Sequence, residues 1–163
     1  MPENYTPPII KIWDPHDSIL HTKCNEIKQW TSEYVEIKLK LNKMLEWCRD
    51  PKNRAVWLAL PQVGIGWRWF VVSVHTQTEK YHGVFINPVL IKSSGNITEY
   101  EEECLSEPWV KVNKKRPYQI RLEYDDPSLP SIRKQKTFTG FTARVIQHEL
   151  DHLDWLLLSD DSR

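Results

Sequence analysis

The segment Gln147-His148-Glu149-Leu150-Asp151-His152 constrains this chain more than any other. Its neighbours place apolar residues on two sides of a helix. Phe141, Val145, His148, Glu149, His152 and Leu156 share one face by helical spacing, and Ile146, Leu150, Leu153 and Leu157 form a second. A helix that is apolar on two sides belongs inside a molecule. The spacing therefore predicts a buried helix from Thr139 or Gly140 to Leu153 or beyond. Two His and a Glu buried there without partners would cost about 1–3 kcal/mol each. A ligand removes that cost. His residues four apart stack on successive turns, so both imidazoles can reach one ion at about 2.0–2.1 Å. The Glu between them can accept a proton from water at that ion and hand it on. A shuffled chain of this composition would contain roughly 0.02 H-E-x-x-H windows, so chance and a pair of plain core histidines are both poor accounts.

An ion needs a further protein ligand. Zinc proteases with this pattern take it downstream, as a His six residues on or a Glu about one helix later. Here Leu158 stands six residues past His152, and only Asp154, Asp160 and Asp161 follow as acidic residues. The third ligand is expected upstream, from His16, His21, His75, His82, Cys24, Cys48 or Cys104. Cys104 stands out by context, because it leaves a strand within Glu102-Glu103-Cys104-Leu105-Ser106. A bound metal would hold it as thiolate.

The remainder reads as one α+β domain over residues 1–163: short antiparallel sheets packed around the central buried helix, with one N-terminal helix. The first thirty residues, with Pro2, Pro7, Pro8 and Pro15, read as an extended arm with turns. A helix is expected over Ser32–Arg49, capped by Thr31 or Ser32, with Ile37, Leu41, Met44, Leu45 and Cys48 as its apolar stripe. Strands are expected at Arg68–His75, Tyr81–Ile86, Val89–Lys92, Ile97–Glu102 and Tyr118–Tyr124. Asn87-Pro88, Ser93–Asn96 and Asp125–Pro127 read as the turns between them. The 22 basic and 22 acidic residues balance, which argues against nucleic-acid and membrane-surface partners. No apolar run is long enough to span a bilayer, and no basic-then-apolar leader opens the chain. The 3 Cys form no C-x-x-C pair, so a cytoplasmic, reducing compartment is expected. Only 5 residues are Gly and 8 are Trp, and no Gly-rich phosphate loop exists.

Three segments together resemble the peptide deformylase family. Glu102–Ser106 is similar to its E-G-C-L-S motif, Gln147–His152 to its Q-H-E-x-D-H motif, and Leu58–Ile65 to the end of its G-φ-G-φ-A-A-x-Q motif. The resemblance implies hydrolysis of the N-formyl group from the N-terminal methionine of newly made polypeptides. It implies one divalent ion, Fe²⁺ in vivo with Zn²⁺, Ni²⁺ or Co²⁺ as substitutes, held by Cys104, His148 and His152. Metal-activated hydroxide would attack the formyl carbon, and Glu149 would act as general base and acid. The Gln62 side chain and the Leu105 backbone N–H would stabilise the oxyanion. Asp151 is either a partner of a ligand or a solvated helix residue.

Val56, Trp57, Phe141 and Val145 are expected to line the methionine pocket, because Phe141 and Val145 share the face of His148. Many bacterial relatives carry a C-terminal extension that docks on the ribosome, and almost nothing follows the motif helix here, which puts that docking in doubt. Where the family motifs have glycine, this chain has Ala55, Trp57, Glu103 and Trp155. Trp57 is expected to crowd the substrate and narrow the pocket. Three other readings predict different behaviour: a deformylase-like protein that binds without turnover, a zincin-type endopeptidase, and a structural metal domain.

Overall fold

In a computed structural model, which describes residues 5–129 and 131–160, five strands form one antiparallel sheet in the order β1-β2-β3-β4-β5. The strands are β1 (Trp57–Ala59), β2 (Trp69–His75), β3 (Lys80–Cys104), β4 (Glu107–Asp125) and β5 (Arg133–Thr139). The helices are α1 (Ser32–Arg49) and α2 (Gly140–Leu153). The class is α+β, as the sequence predicts. Pro2 of the expected arm lies outside the described residues.

Strand β2 explains the layering. Successive side chains of a strand point to opposite faces. Phe70, Val72 and Val74 join the apolar cluster that holds Val145, Ile146 and Leu150 of α2. Trp69 and Val71 join the cluster that holds Ile37, Leu41 and Met44 of α1. Both faces of the strand are covered, so β2 is buried from Trp69 through Val74 and is apolar there except at Ser73. Each fully buried Leu or Phe contributes roughly 1.5–3 kcal/mol. Helix α1 follows its expected span, and the Thr31 side chain accepts the Tyr34 N–H as its cap.

Strand lengths depart from the sequence reading. The three segments expected at Tyr81–Ile86, Val89–Lys92 and Ile97–Glu102 are one strand of 25 residues. Asn87-Pro88 and Ser93–Asn96 are not turns. They are irregularities inside β3, where its register against β4 shifts between Ile86 and Val89 and between Ser94 and Ile97. Bulges and turns use the same left-handed residues, and Asn87 (φ 47°) and Gly95 (φ 79°) serve here. Strand β4 begins at Glu107, well before the expected Tyr118, because the residues between buried Glu107 and Arg116 are at most half-buried and include three Lys, which hides the strand pattern. Strands β1 and β5 are short, and neither was expected.

Helix α2 borrows its N-terminal cap. Thr139 offers no side-chain bond there. Glu79, from the turn between β2 and β3, accepts from the Phe141 N–H (2.8 Å), the Thr142 N–H (2.9 Å) and the Thr142 hydroxyl (2.6 Å). Gly140, at φ 63°, lies under that carboxylate, and a Cβ there would run into it. At its other end, α2 closes with the Leu156 N–H on Asp151 O (2.8 Å) and the Trp155 N–H on His152 O (3.3 Å). This is the Schellman arrangement, with Trp155 in the left-handed position at φ 57°.

Two stability measurements follow from these ends. Glycine is the residue that position favours, and the Trp155 ring is 37% exposed, so Trp155→Gly should stabilise the fold by about 1 kcal/mol in urea unfolding. Burial alone would raise the Glu79 pKa, but the bonds from Thr142 and Phe141 hold it below the usual carboxylate range. A depressed folded-state pKa gives stability that is full above the unfolded value of about 4.3 and is lost as pH falls. Glu79→Ala should cost about 1–2 kcal/mol at pH 7. That gap should narrow as the pH is lowered below about 4.3.

Candidate metal centre and substrate cleft

Cys104 ends β3, and Leu105-Ser106 forms a two-residue turn into β4. This tip lies against α2. Ligand atoms of Cys104, His148 and His152 all fall within 4.8 Å of one another, and all three residues are buried. Cys104 Sγ is 3.2 Å from His152 Nε2. The alternative upstream donors lie elsewhere. His16, His21 and His75 are exposed, His82 Nδ1 pairs with the Ser73 hydroxyl at 2.9 Å, and Cys24 and Cys48 are core residues.

The donor chemistry fits a divalent cation. His148 Nδ1 lies 3.2 Å from Glu102 Oε2, which orients its Nε2 toward the cluster. That Nε2 has no protein partner although it is buried, and neither has either carboxylate oxygen of Glu149. Burial pushes the Cys104 thiol up to about 12. Burial first, and then the neighbouring His148, lowers the His152 pKa well below its ordinary value, so the ring is neutral. Glu149 is fully buried, and burial, with Asp151 adding to it, raises its pKa well above the carboxylate range. Two imidazoles beside a buried thiol are a cation-binding set, and a cation would reverse the penalty on the thiolate.

Around this centre stands a network that motif reading passed over. Glu102, two residues before Cys104, accepts from Arg116 Nε (2.7 Å) and Nη2 (2.8 Å) of β4 and from Arg144 Nη1 (2.7 Å) of α2. Arg116 also meets Asp151 at 2.9 Å, so Asp151 is an ion-pair partner rather than a solvated position. Burial alone would raise the Glu102 pKa, but hydrogen bonds from Arg116 and His148 hold it far below the usual range. Beyond Cys104, buried Glu107 accepts the Leu158 N–H (2.5 Å) and the Ser159 N–H (3.0 Å), just past α2. The only sequence signal for Glu102 is its place in the Cys104 motif. Nothing in the sequence singles out Arg116, Arg144 or Glu107.

Gln62 lies in a 3₁₀ turn over Leu60–Val63 and is buried. Its Oε1 accepts the Ala59 N–H at 2.8 Å, which turns the amide group toward the centre. Nε2 then donates to Ser106 Oγ (3.2 Å) and Cys104 Sγ (3.6 Å). Two cavities flank these residues. An inner one of about 280 Å³ lies beside His148 and is lined by Val56, Trp57, Phe141 and Val145. An outer one of about 570 Å³ runs past Cys104, Leu105, Trp57 and Trp109.

Known proteins resemble the chain over most of its length. The family model described as polypeptide deformylase matches residues 8–163. A peptide deformylase of Cytophaga hutchinsonii is 34% identical over 94% of this chain and 80% of its own length. One of Dictyoglomus thermophilum is 36% identical over 93% of this chain and 90% of its own. Among solved structures, the peptide deformylase of Thermotoga maritima aligns with a TM-score of 0.79 at 28% identity, covering 98% of this chain and 99% of that one. The Synechococcus elongatus enzyme in complex with actinonin aligns with a TM-score of 0.77 at 25% identity, over 97% of this chain and 81% of that one.

The Glu102 cluster carries a measurable load. Removing one partner from a buried ion pair typically costs about 3–5 kcal/mol. Glu102→Gln leaves Arg116 and Arg144 buried against a neutral group. It should lower unfolding stability by about that amount, whereas the exposed Glu99→Gln should change it by less than about 1 kcal/mol.

Proposed function

Because the chain belongs to the polypeptide deformylase family, we propose that it removes the formyl group from the N-terminal formyl-methionine of newly made polypeptides, as a single catalytic domain. The observation that carries this reading is the convergence of Cys104, His148 and His152 on one point, with the unpartnered Glu149 carboxylate beside it. Cys104 Sγ and one nitrogen each of His148 and His152 would hold the ion. When bound, the ion would polarise the formyl carbonyl and acidify water at the site. A His₂Cys set suits several divalent ions, and Fe²⁺ is the one proposed in vivo.

The protein groups do the rest. Glu149 takes the proton of the attacking water and returns it to the leaving amine. Its carboxylate oxygens are buried and have no hydrogen-bond partner in the protein, so they are free to take up and return that proton. The oxygen of the formyl group gains charge as the carbonyl carbon becomes tetrahedral. Gln62 Nε2 and the Leu105 N–H donate to it, each such donor being worth about 3–4 kcal/mol. Glu102 fixes the tautomer of His148, so its Nε2 lone pair is the free one. Val56, Trp57, Phe141 and Val145 receive the methionine side chain in the inner cavity. Three free, buried cysteines support a reducing compartment. Among the described residues no helix is long and apolar enough to cross a membrane.

Protein loaded with Fe²⁺ or Ni²⁺ should release formate from a formyl-methionyl tripeptide. Glu149→Ala should lower kcat/KM by about 10²–10⁴-fold while metal content stays at one ion per chain. Formate-free reactions from fully metallated protein would overturn the reading. Peptide affinity without turnover would then indicate a binding protein built on the same site.

A further inference from the structure

The cleft continues beyond the metal centre. Val56, Trp57 and Glu103 line both cavities, so a peptide with its first side chain in the inner cavity runs on into the outer one. Charge is unevenly matched along that outer stretch. The charged residues lining it are Lys11, Arg54, Glu103, Glu107 and Lys111. Lys111 Nζ meets Glu103 at 2.5 Å. Glu107 is buried and commits both carboxylate oxygens to the Leu158 and Ser159 N–H groups. Neither Lys11 nor Arg54 has a carboxylate partner among the described residues. Lys11 Nζ lies 6.0 Å from the centroid of the Trp13 ring, a contact that leaves its donors free. The backbone fixes both cations at the cleft. On either side of Lys11, the Ile10 N–H donates to Gln62 O (2.8 Å) and the Ile12 N–H to Ser106 O (3.0 Å). The arm is thereby tied to the two turns that frame the centre. Arg54 closes the 3₁₀ turn Pro51–Asn53 in the left-handed region (φ 49°), two residues before Val56.

We propose that Lys11 and Arg54 form an electropositive rim that selects peptides carrying acidic side chains directly after the formyl-methionine. The inference rests on the deformylase reading of the site. With Glu103 and Glu107 already committed, an incoming carboxylate gives these two cations the partner that the protein does not. A lysine side chain in the same place meets like charge instead. Neither rim residue belongs to the ligand set or the proton relay. They therefore bind substrate and transition state alike, and their effect falls on KM rather than on kcat. Both cations border open solvent, so the preference is modest and sensitive to salt.

The test uses formyl-methionyl tripeptide amides that end in two glutamates, two glutamines or two lysines. They are compared on metal-loaded wild type, Lys11→Gln, Arg54→Gln, the double variant, and Lys43→Gln, which removes an exposed charge from α1. At about 0.05 M salt, wild type should favour the glutamate over the lysine peptide by about tenfold in kcat/KM, chiefly through KM, with the glutamine peptide between. At about 1 M salt, where the screening length falls to about 3 Å, the ratio should approach unity. Each single variant should lower the low-salt ratio by about two- to threefold and the double variant should bring it below about twofold, whereas Lys43→Gln should leave it nearly unchanged. A wild-type ratio below about threefold, a double variant that keeps the wild-type ratio, or an equal loss in Lys43→Gln would overturn the proposal. Should the double variant fail to fold, the single variants decide against Lys43→Gln by the same comparison. Wild type that releases no formate from any of the peptides overturns the activity reading instead. The rim is then decided by the Kd ratio of the deformylated glutamate and lysine peptides, with the same threshold.

Discussion

Glu102 is the point on which three elements meet. It comes from β3, it is 4% exposed, and it receives Arg116 from β4 and Arg144 and His148 from α2. A carboxylate buried so deeply is tolerable only while its cations stay in place. The hairpin of β3 and β4 therefore cannot drift from α2 without exposing unpaired charge to an apolar interior. Arg144 strengthens the tie, since it also donates to Thr98 O (2.6 Å) and Lys114 O (2.9 Å), one on each strand of the hairpin. Glu107 makes a second clamp on the far side of Cys104. The cysteine is thus held between two buried glutamates, and its distance to the histidines is set by ion pairs and amide bonds rather than by the ion it would share with them.

The same low dielectric that makes Glu102 costly to unpair governs Glu149. One glutamate is surrounded by donors and stays ionised, while the other has none and is pushed toward the protonated form. Two carboxylates at nearly equal depth thereby acquire opposite characters. The first is a fixed charge that orients a ring, and the second is a group able to exchange a proton. Partners on other elements hold Glu102 ionised, whereas burial, with Asp151 of the same helix, raises the Glu149 pKa, so only the second character was foreshadowed by the local sequence.

How legible each part was follows from this. His148, Glu149, His152, Cys104 and Gln62 stand within short contiguous motifs, and helical spacing alone put the histidines on one face. Helix α1 was legible because its stripe and its cap are local. Glu102 had a motif but no visible partners, since Arg116 and Arg144 lie on distant elements. Strand β3 was divided in the reading because Asn87 and Gly95 signal a left-handed residue, and that signal is the same for a bulge as for a turn. Strand β5 (Arg133–Thr139) escaped because only Phe138 of its seven residues is buried. The glycine substitutions separated into two kinds only in three dimensions. Trp155 occupies a left-handed backbone, whereas Trp57 occupies space.

The meander has a consequence for the order in which the molecule can assemble. Every strand pairs with its neighbour along the chain, so the sheet closes through successive hairpins. The metal centre does not. Bringing Gln62 to Cys104 spans 42 residues, and bringing Cys104 to His152 spans 48. Long loops lose more entropy on closure than hairpin turns do, and they are closed most easily across a scaffold that already exists. The chain can thus acquire its sheet before its chemistry, and thiol, imidazoles and carboxylate converge only when α2 docks.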